Sequence, residues 1–89
     1  MDMNRLHYFS VLVRAGSITK ASELLNISQP AVSKAIKTLE LELGKELIIP
    51  DGRGIAITDY GLRLVEHCDP LLEILSQLSQ LDQSPTNAA

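Results

Sequence analysis

The sequence predicts a mainly α-helical domain that carries one small β-hairpin and a long C-terminal helix. Apolar residues recur at helical spacing along four segments, and the period changes to two only between Glu46 and Thr58. Gly, Asn, Ser or Thr marks nearly every segment boundary. With 89 residues the chain holds one domain plus at most an appended element. Hydrophobic residues at 45% and charged residues at 21% exclude a disordered chain.

The first helix is expected over Met3 to Ala15, with Leu6, Phe9, Leu12 and Val13 on its inner side and Gly16 as its stop. Ser17 or Thr19 caps a second, short helix that runs to about Leu25, with Ala21, Leu24 and Leu25 facing inward. Asn26 then takes a left-handed turn and Ile27 plugs the core. Ser28 opens the third helix, and Pro30 stands in its first turn, where a missing N–H is harmless. Val32, Ala35, Ile36, Leu39 and Leu43 form its apolar stripe, and Gly44 ends it. Gln29, Pro30, Ser33, Lys34 and Lys37 make the other face. Two helices joined by a three- to four-residue turn, the second showing small, polar and basic groups outward, form a helix-turn-helix pattern.

Leu47, Ile48 and Ile49, a turn through Pro50-Asp51-Gly52 with Gly54, and alternating Ile55 and Ile57 predict a hairpin with Arg53 near its tip. Thr58 caps the last helix, and Asp59 suits the dipole of its first turn. Leu64, Cys68, Leu71, Leu75 and Leu78 run along it in steps of four and three, a coiled-coil-like seam. Pro70 falls inside this helix and must kink it or split it; the seam keeps register across the proline, which favours a kink. A helix of about 23 residues is roughly 35 Å long, too long to bury its flanks on so small a body. A partner is therefore expected, and a second copy of the chain supplies one with a single self-complementary surface.

Charge excludes some functions and leaves one open. The net charge is −3, which argues against nucleic acid at first sight. The acidity sits mainly in residues 59–89, with five Asp/Glu against Arg63, whereas residues 1–58 carry seven Lys/Arg against six Asp/Glu. A duplex-binding face in the first two-thirds is compatible with that split. Aromatic content of 3% leaves no stacking platform for single strands. Cys68 is the single cysteine, and His7 and His67 lie 60 residues apart without companion ligands, so no metal site, cofactor or catalytic residue is expected. The chain lacks a phosphate-cradling glycine loop and a nucleophile–base pair, so no enzyme is expected. No apolar run approaches a membrane span, and the chain reads as cytoplasmic.

Over about residues 3–80 the sequence resembles the N-terminal DNA-binding domain of LysR-type transcriptional regulators. The residues that carry the resemblance are Ser17 with Ala21, the run from Ser28 to Lys34, Leu39-Glu40, Leu43-Gly44, Gly52-Arg53-Gly54, Thr58 and Gly61. The resemblance implies a winged helix-turn-helix over residues 1–58, a linker helix over 59–81 that pairs with its counterpart in a homodimer, and an effector-binding domain absent from this chain. Residues 82–89 are expected to be a disordered tail. The sequence departs from the family pattern in three places. Leu47-Ile48-Ile49-Pro50 replaces the usual Leu-Phe-x-Arg entry to the wing, Ser22 replaces a common Ala, and Pro70 interrupts the linker helix.

The expected ligand is double-stranded DNA, with the third helix in the major groove. Gln29 can bond adenine bidentately or reach phosphate, and Lys34 can donate to guanine. Ser33 bonds a base or the backbone, and the Pro30 ring meets a thymine methyl. Lys37 reaches phosphate, as do the free N–H groups at Ser28. Arg53 on its glycine-flanked tip suits the minor groove of A·T tracts. The dimer seam is expected at Leu64, Cys68, Leu71, Leu75 and Leu78. The competing reading is a winged-helix module that docks proteins and leaves DNA alone; the acidic balance and the lost wing Arg lean toward it.

Overall fold

The computed structural model describes residues 2–83, and within residues 79–83 the backbone alone. The element order is α1 (Met3–Ala15), α2 (Ile18–Leu25), α3 (Gln29–Leu43), β1 (Ile48–Asp51), β2 (Gly54–Ile57) and α4 (Asp59–Gln83). Each boundary has a local cause. Asp2 caps α1 by accepting the Asn4 N–H at 2.8 Å, and Gly16 closes it in a left-handed conformation at φ 82°. Ser17, not Thr19, caps α2, accepting from Lys20 N at 3.1 Å. Asn26 ends α2 at φ 58°, where it is the one non-glycine at positive φ among the described residues. Ser28 caps α3 through Ala31 N at 3.2 Å.

The core is built where the three small helices meet. Leu6, Phe9 and Leu12 from α1, Ala21 from α2, and Val32, Ile36 and Leu39 from α3 are buried together with Leu47 and Val65. Ile27 and Leu25 are half-buried against this cluster. Leu24 is a correction to the expected inner face of α2. It is 71% exposed, because Ile18, Ala21, Ser22 and Leu25, at i, i+3, i+4 and i+7, form the face turned toward the core and Leu24 falls off that stripe. Ser22 fits the tight α2 contact by donating to the Thr19 carbonyl at 2.7 Å, so its hydroxyl is satisfied where a methyl would otherwise sit.

The hairpin is shorter at its tip than expected. Pro50 and Asp51 belong to strand β1, paired with Ile55 and Gly54, and the loop is Gly52-Arg53 alone. Proline is tolerated because β1 is an edge strand of a two-stranded sheet. Gly52 has φ 59°, the left-handed first position that a two-residue hairpin loop needs.

α4 is one continuous helix that contains Pro70 and is described as far as Gln83, past the end expected near Leu81. The expected tail beyond Gln83 lies outside the described residues. Thr58 Oγ1 accepts from Gly61 N at 3.0 Å and donates to the Glu46 carbonyl at 2.7 Å, so the start of α4 is tied to the entry of the wing. The α4 helix leaves the body and extends the molecule to 53 Å against widths of 24 and 18 Å.

Candidate nucleic-acid interface

Burial of Val32, Ile36 and Leu39 fixes how α3 is rotated. The opposite side of the helix therefore presents Gln29, Pro30, Ser33, Lys34 and Lys37, all of them exposed. A concave groove of about 460 Å³ runs along the N-terminal turn of α3. Gln29, Pro30 and Ser33 line it from α3, Ser17, Ile18 and Thr19 from the start of α2, and Arg53, Gly54 and Ile55 from the wing. The fold thus brings four of the expected site residues, Gln29, Pro30, Ser33 and Arg53, around one depression. Ser33 also borders a second groove between α3 and β1, and Lys37 lines that one. Lys34 lines neither groove and stands exposed on α3. The Ser28 hydroxyl is already committed to its cap.

Some of the cations are tied up in ion pairs and others are not. Arg5 pairs with Glu42 at 2.9 Å, and Arg14 with Asp69 at 3.2 Å. Among the described residues, Lys20, Lys34, Lys37 and Arg53 have no ion-pair partner, so their charges are available to a ligand. The nearby Glu40 carboxylate is spoken for, since its Oε2 accepts the Leu47 N–H at 2.8 Å and the Ile48 N–H at 3.3 Å. That contact ties the second half of α3 to the first strand of the wing.

Two contributions escape sequence reasoning. Ile18 and Thr19 line the main groove, although only the capping role of this stretch could be read from residue types. They reach it from the N-terminal end of α2, whereas the short turn joins the opposite end of that helix to α3, so local pattern does not reveal their place. The other is Glu40, whose partners lie seven and eight residues on, across the chain reversal at Gly44.

The expected dimer seam divides along α4. Leu64 and Cys68 pack partly on the chain's own core. Leu71, Leu75 and Leu78 are 48%, 39% and 52% exposed, as is Ile74 at 52%. Burial first, and the adjacent Asp69 carboxylate second, push the Cys68 thiol above its ordinary pKa. Among the described residues no group of three His, Cys, Asp or Glu could hold a metal ion, and no helix is long and apolar enough to cross a membrane.

Residues 3–62 match the model of the bacterial regulatory helix-turn-helix protein family of the lysR type. The chain is 43% identical over 77 residues to the nitrogen assimilation regulatory protein nac of Escherichia coli strain K12, across 86% of this chain and 25% of that protein. The full-length Vibrio cholerae virulence activator AphB superposes with a TM-score of 0.84 at 30% identity, over 90% of this chain and 28% of that one. The DNA-binding domain of BenM in complex with catB site 1 DNA superposes with a TM-score of 0.82 at 32% identity, over 93% of this chain and 92% of that one. The chain spans about a quarter of the length of the curated relatives it matches.

Proposed function

The chain belongs to the lysR family of bacterial regulatory helix-turn-helix proteins, and from that premise we propose that it binds double-stranded DNA sequence-specifically, as a homodimer, within a transcription regulator. One observation carries the reading. The exposed face of α3 presents unpaired Lys34 and Lys37, and its Gln29, Pro30 and Ser33 line a groove whose far wall carries the unpaired Arg53. BenM, whose DNA-binding domain shares this fold, has been solved on DNA, which supports the same ligand class here.

In this reading α3 enters the major groove. Gln29, Ser33 and Lys34 meet base edges, Pro30 keeps the backbone close, and Lys37 with the N–H groups near Ser28 holds phosphate. Arg53 enters the adjacent minor groove, which a two-residue hairpin tip is narrow enough to do. Residues 1–58 form the reading unit, and residues 59–81 form the helix that pairs two copies. Leu71, Leu75 and Leu78 form the contact proper, and Leu64 and Cys68 support it from the side of the body. Pairing sets two α3 helices on one duplex, so two weak half-site contacts reinforce each other. Such a ligand requires a cytoplasmic location.

The test is a binding titration on duplexes selected from a random pool, repeated across salt concentrations. Bound phosphates release counterions, so affinity should fall steeply and linearly on a double-logarithmic plot. Failure to enrich any duplex would favour the protein-docking module instead.

A further inference from the structure

Midway along the stretch where α4 runs against α1, one carboxylate joins the two helices. Ser10, only 2% exposed, donates its hydroxyl to Asp69 Oδ1 at 2.8 Å. Arg14, one turn further along α1, approaches the same oxygen at 3.2 Å. The Ser10 contact joins residues 59 positions apart in sequence. Asp69 immediately precedes Pro70, which removes the helical bond to the Glu66 carbonyl and crowds that turn. The backbone of α4 is therefore weakest at the level where the side chain of Asp69 is held. Beyond that level α4 borders α1 only along shallow grooves shared with Met3, Asn4 and His7 as far as Ser76, and Leu71, Ile74, Leu75 and Leu78 are all substantially exposed.

We propose that the Ser10–Asp69–Arg14 cluster is a latch that fixes the angle of α4 to the DNA-reading body, and that it thereby sets which separation of half-sites the dimer accepts. The spacing claim rests on the proposed DNA-binding dimer; the claim about the angle does not. Leverage makes the angle matter. From Asp69 to Gln83 the helix runs about 21 Å. A bend of about 20°, the size that proline introduces, sweeps its far end through roughly 7 Å, or about two base-pair steps of 3.4 Å. The two halves of the latch are unequal. The Arg14 side chain is 61% exposed and screened by water, whereas the Ser10 hydroxyl is buried and donates to a charged acceptor. Ser10 is therefore the dominant positioning residue, and Asp69 is the group it positions.

Two readouts judge the proposal, both on the intact chain. Residual dipolar couplings of the ¹⁵N-labelled protein report the orientation of residues 71–83 against α1 to α3. In the parent both parts should fit one alignment frame with the geometry of this structure. In Ser10→Ala the distal couplings should leave that frame, and in Asp69→Asn, which keeps an acceptor but loses its charge, they should leave it by less. Unchanged couplings in both variants would overturn the latch.

The second readout is selection from duplexes carrying two half-sites with spacers of varied length. The parent should enrich one spacing, and Ser10→Ala should spread over spacings at least one base pair to either side with the same half-site sequence. An even loss of affinity at every spacing would mark Ser10 as merely structural and overturn the spacing claim. If the parent itself enriches no duplex, the proposed function fails and the spacing claim with it, while the couplings still decide the latch.

Discussion

Replacing Gly61 with alanine sets two familiar effects against each other, and the structure decides between them. Gly61 lies in the first turns of α4, where helix propensity alone favours alanine by about 1 kcal/mol. A Cβ there would stand 2.8 Å from the Leu47 carbonyl oxygen, 2.9 Å from Ile57 Cγ2 and 2.9 Å from Phe9 Cζ. None of the three can withdraw easily. The Leu47 carbonyl accepts the Thr58 N–H at 3.0 Å, and Leu47 and Phe9 are 0% and 1% exposed in the core. Overpacking costs about 1–3 kcal/mol, and three simultaneous clashes place this site at the upper end. The expected net loss is about 2 kcal/mol, a fall in melting temperature of about 8–16 °C for a domain this small. Urea unfolding followed by circular dichroism, at matched chain concentration, measures it. A Gly61→Ala variant as stable as the parent would show that α4 does not seat on Phe9 and Leu47 as described.

Arg53→Ala should weaken binding most on duplexes with A·T-rich flanks and little on G·C-rich ones, because the narrow groove attracts the guanidinium; equal losses in a competition assay would make Arg53 a plain phosphate contact. At roughly 1.5–3 kcal/mol per fully buried aliphatic side chain, the half-exposed Leu71, Ile74, Leu75 and Leu78 leave on the order of 3–6 kcal/mol per chain for a partner helix to recover. Leu71→Asp with Leu75→Asp should accordingly sediment as a folded monomer at tens of micromolar, and a dimer there would refute the seam. The raised Cys68 pKa means less thiolate near pH 8 than a free cysteine carries, so alkylation should be slow in the folded chain and accelerate in urea or at higher pH; equal rates in folded and unfolded chain would contradict the burial of that thiol.

Local chemistry made most of this fold legible. Ser17, Ser28 and Thr58 cap helices and Gly16, Asn26 and Gly44 end them through one- to four-residue interactions, which residue types reveal directly. The exposed face of α3 was equally readable, because its apolar stripe dictates the rotation of the helix. What sequence hid was set by packing between distant segments. Leu24 looks like a core residue, yet packing rotates α2 so that Ile18, Ala21, Ser22 and Leu25 face inward and Leu24 faces out. Pro50 looks like a turn residue, yet an unpaired strand edge accommodates it. The Glu40 bridge to the wing and the Ser10–Asp69 bond join residues whose proximity no local pattern encodes. The seam on α4 reads as one stripe in sequence, whereas the body covers its first two positions and leaves the other three exposed.

The central claim is that the exposed face of α3 reads base edges. It is tested most directly by measuring Lys34→Ala and Lys37→Ala against every single-base variant of a selected duplex. The Lys34→Ala variant should lose about 1–3 kcal/mol and relax its preference at one position, while Lys37→Ala should weaken all duplexes evenly and lower the salt slope by about one unit. Parent-like binding by both variants, with the specificity profile unchanged, would contradict the placement of α3 in the groove.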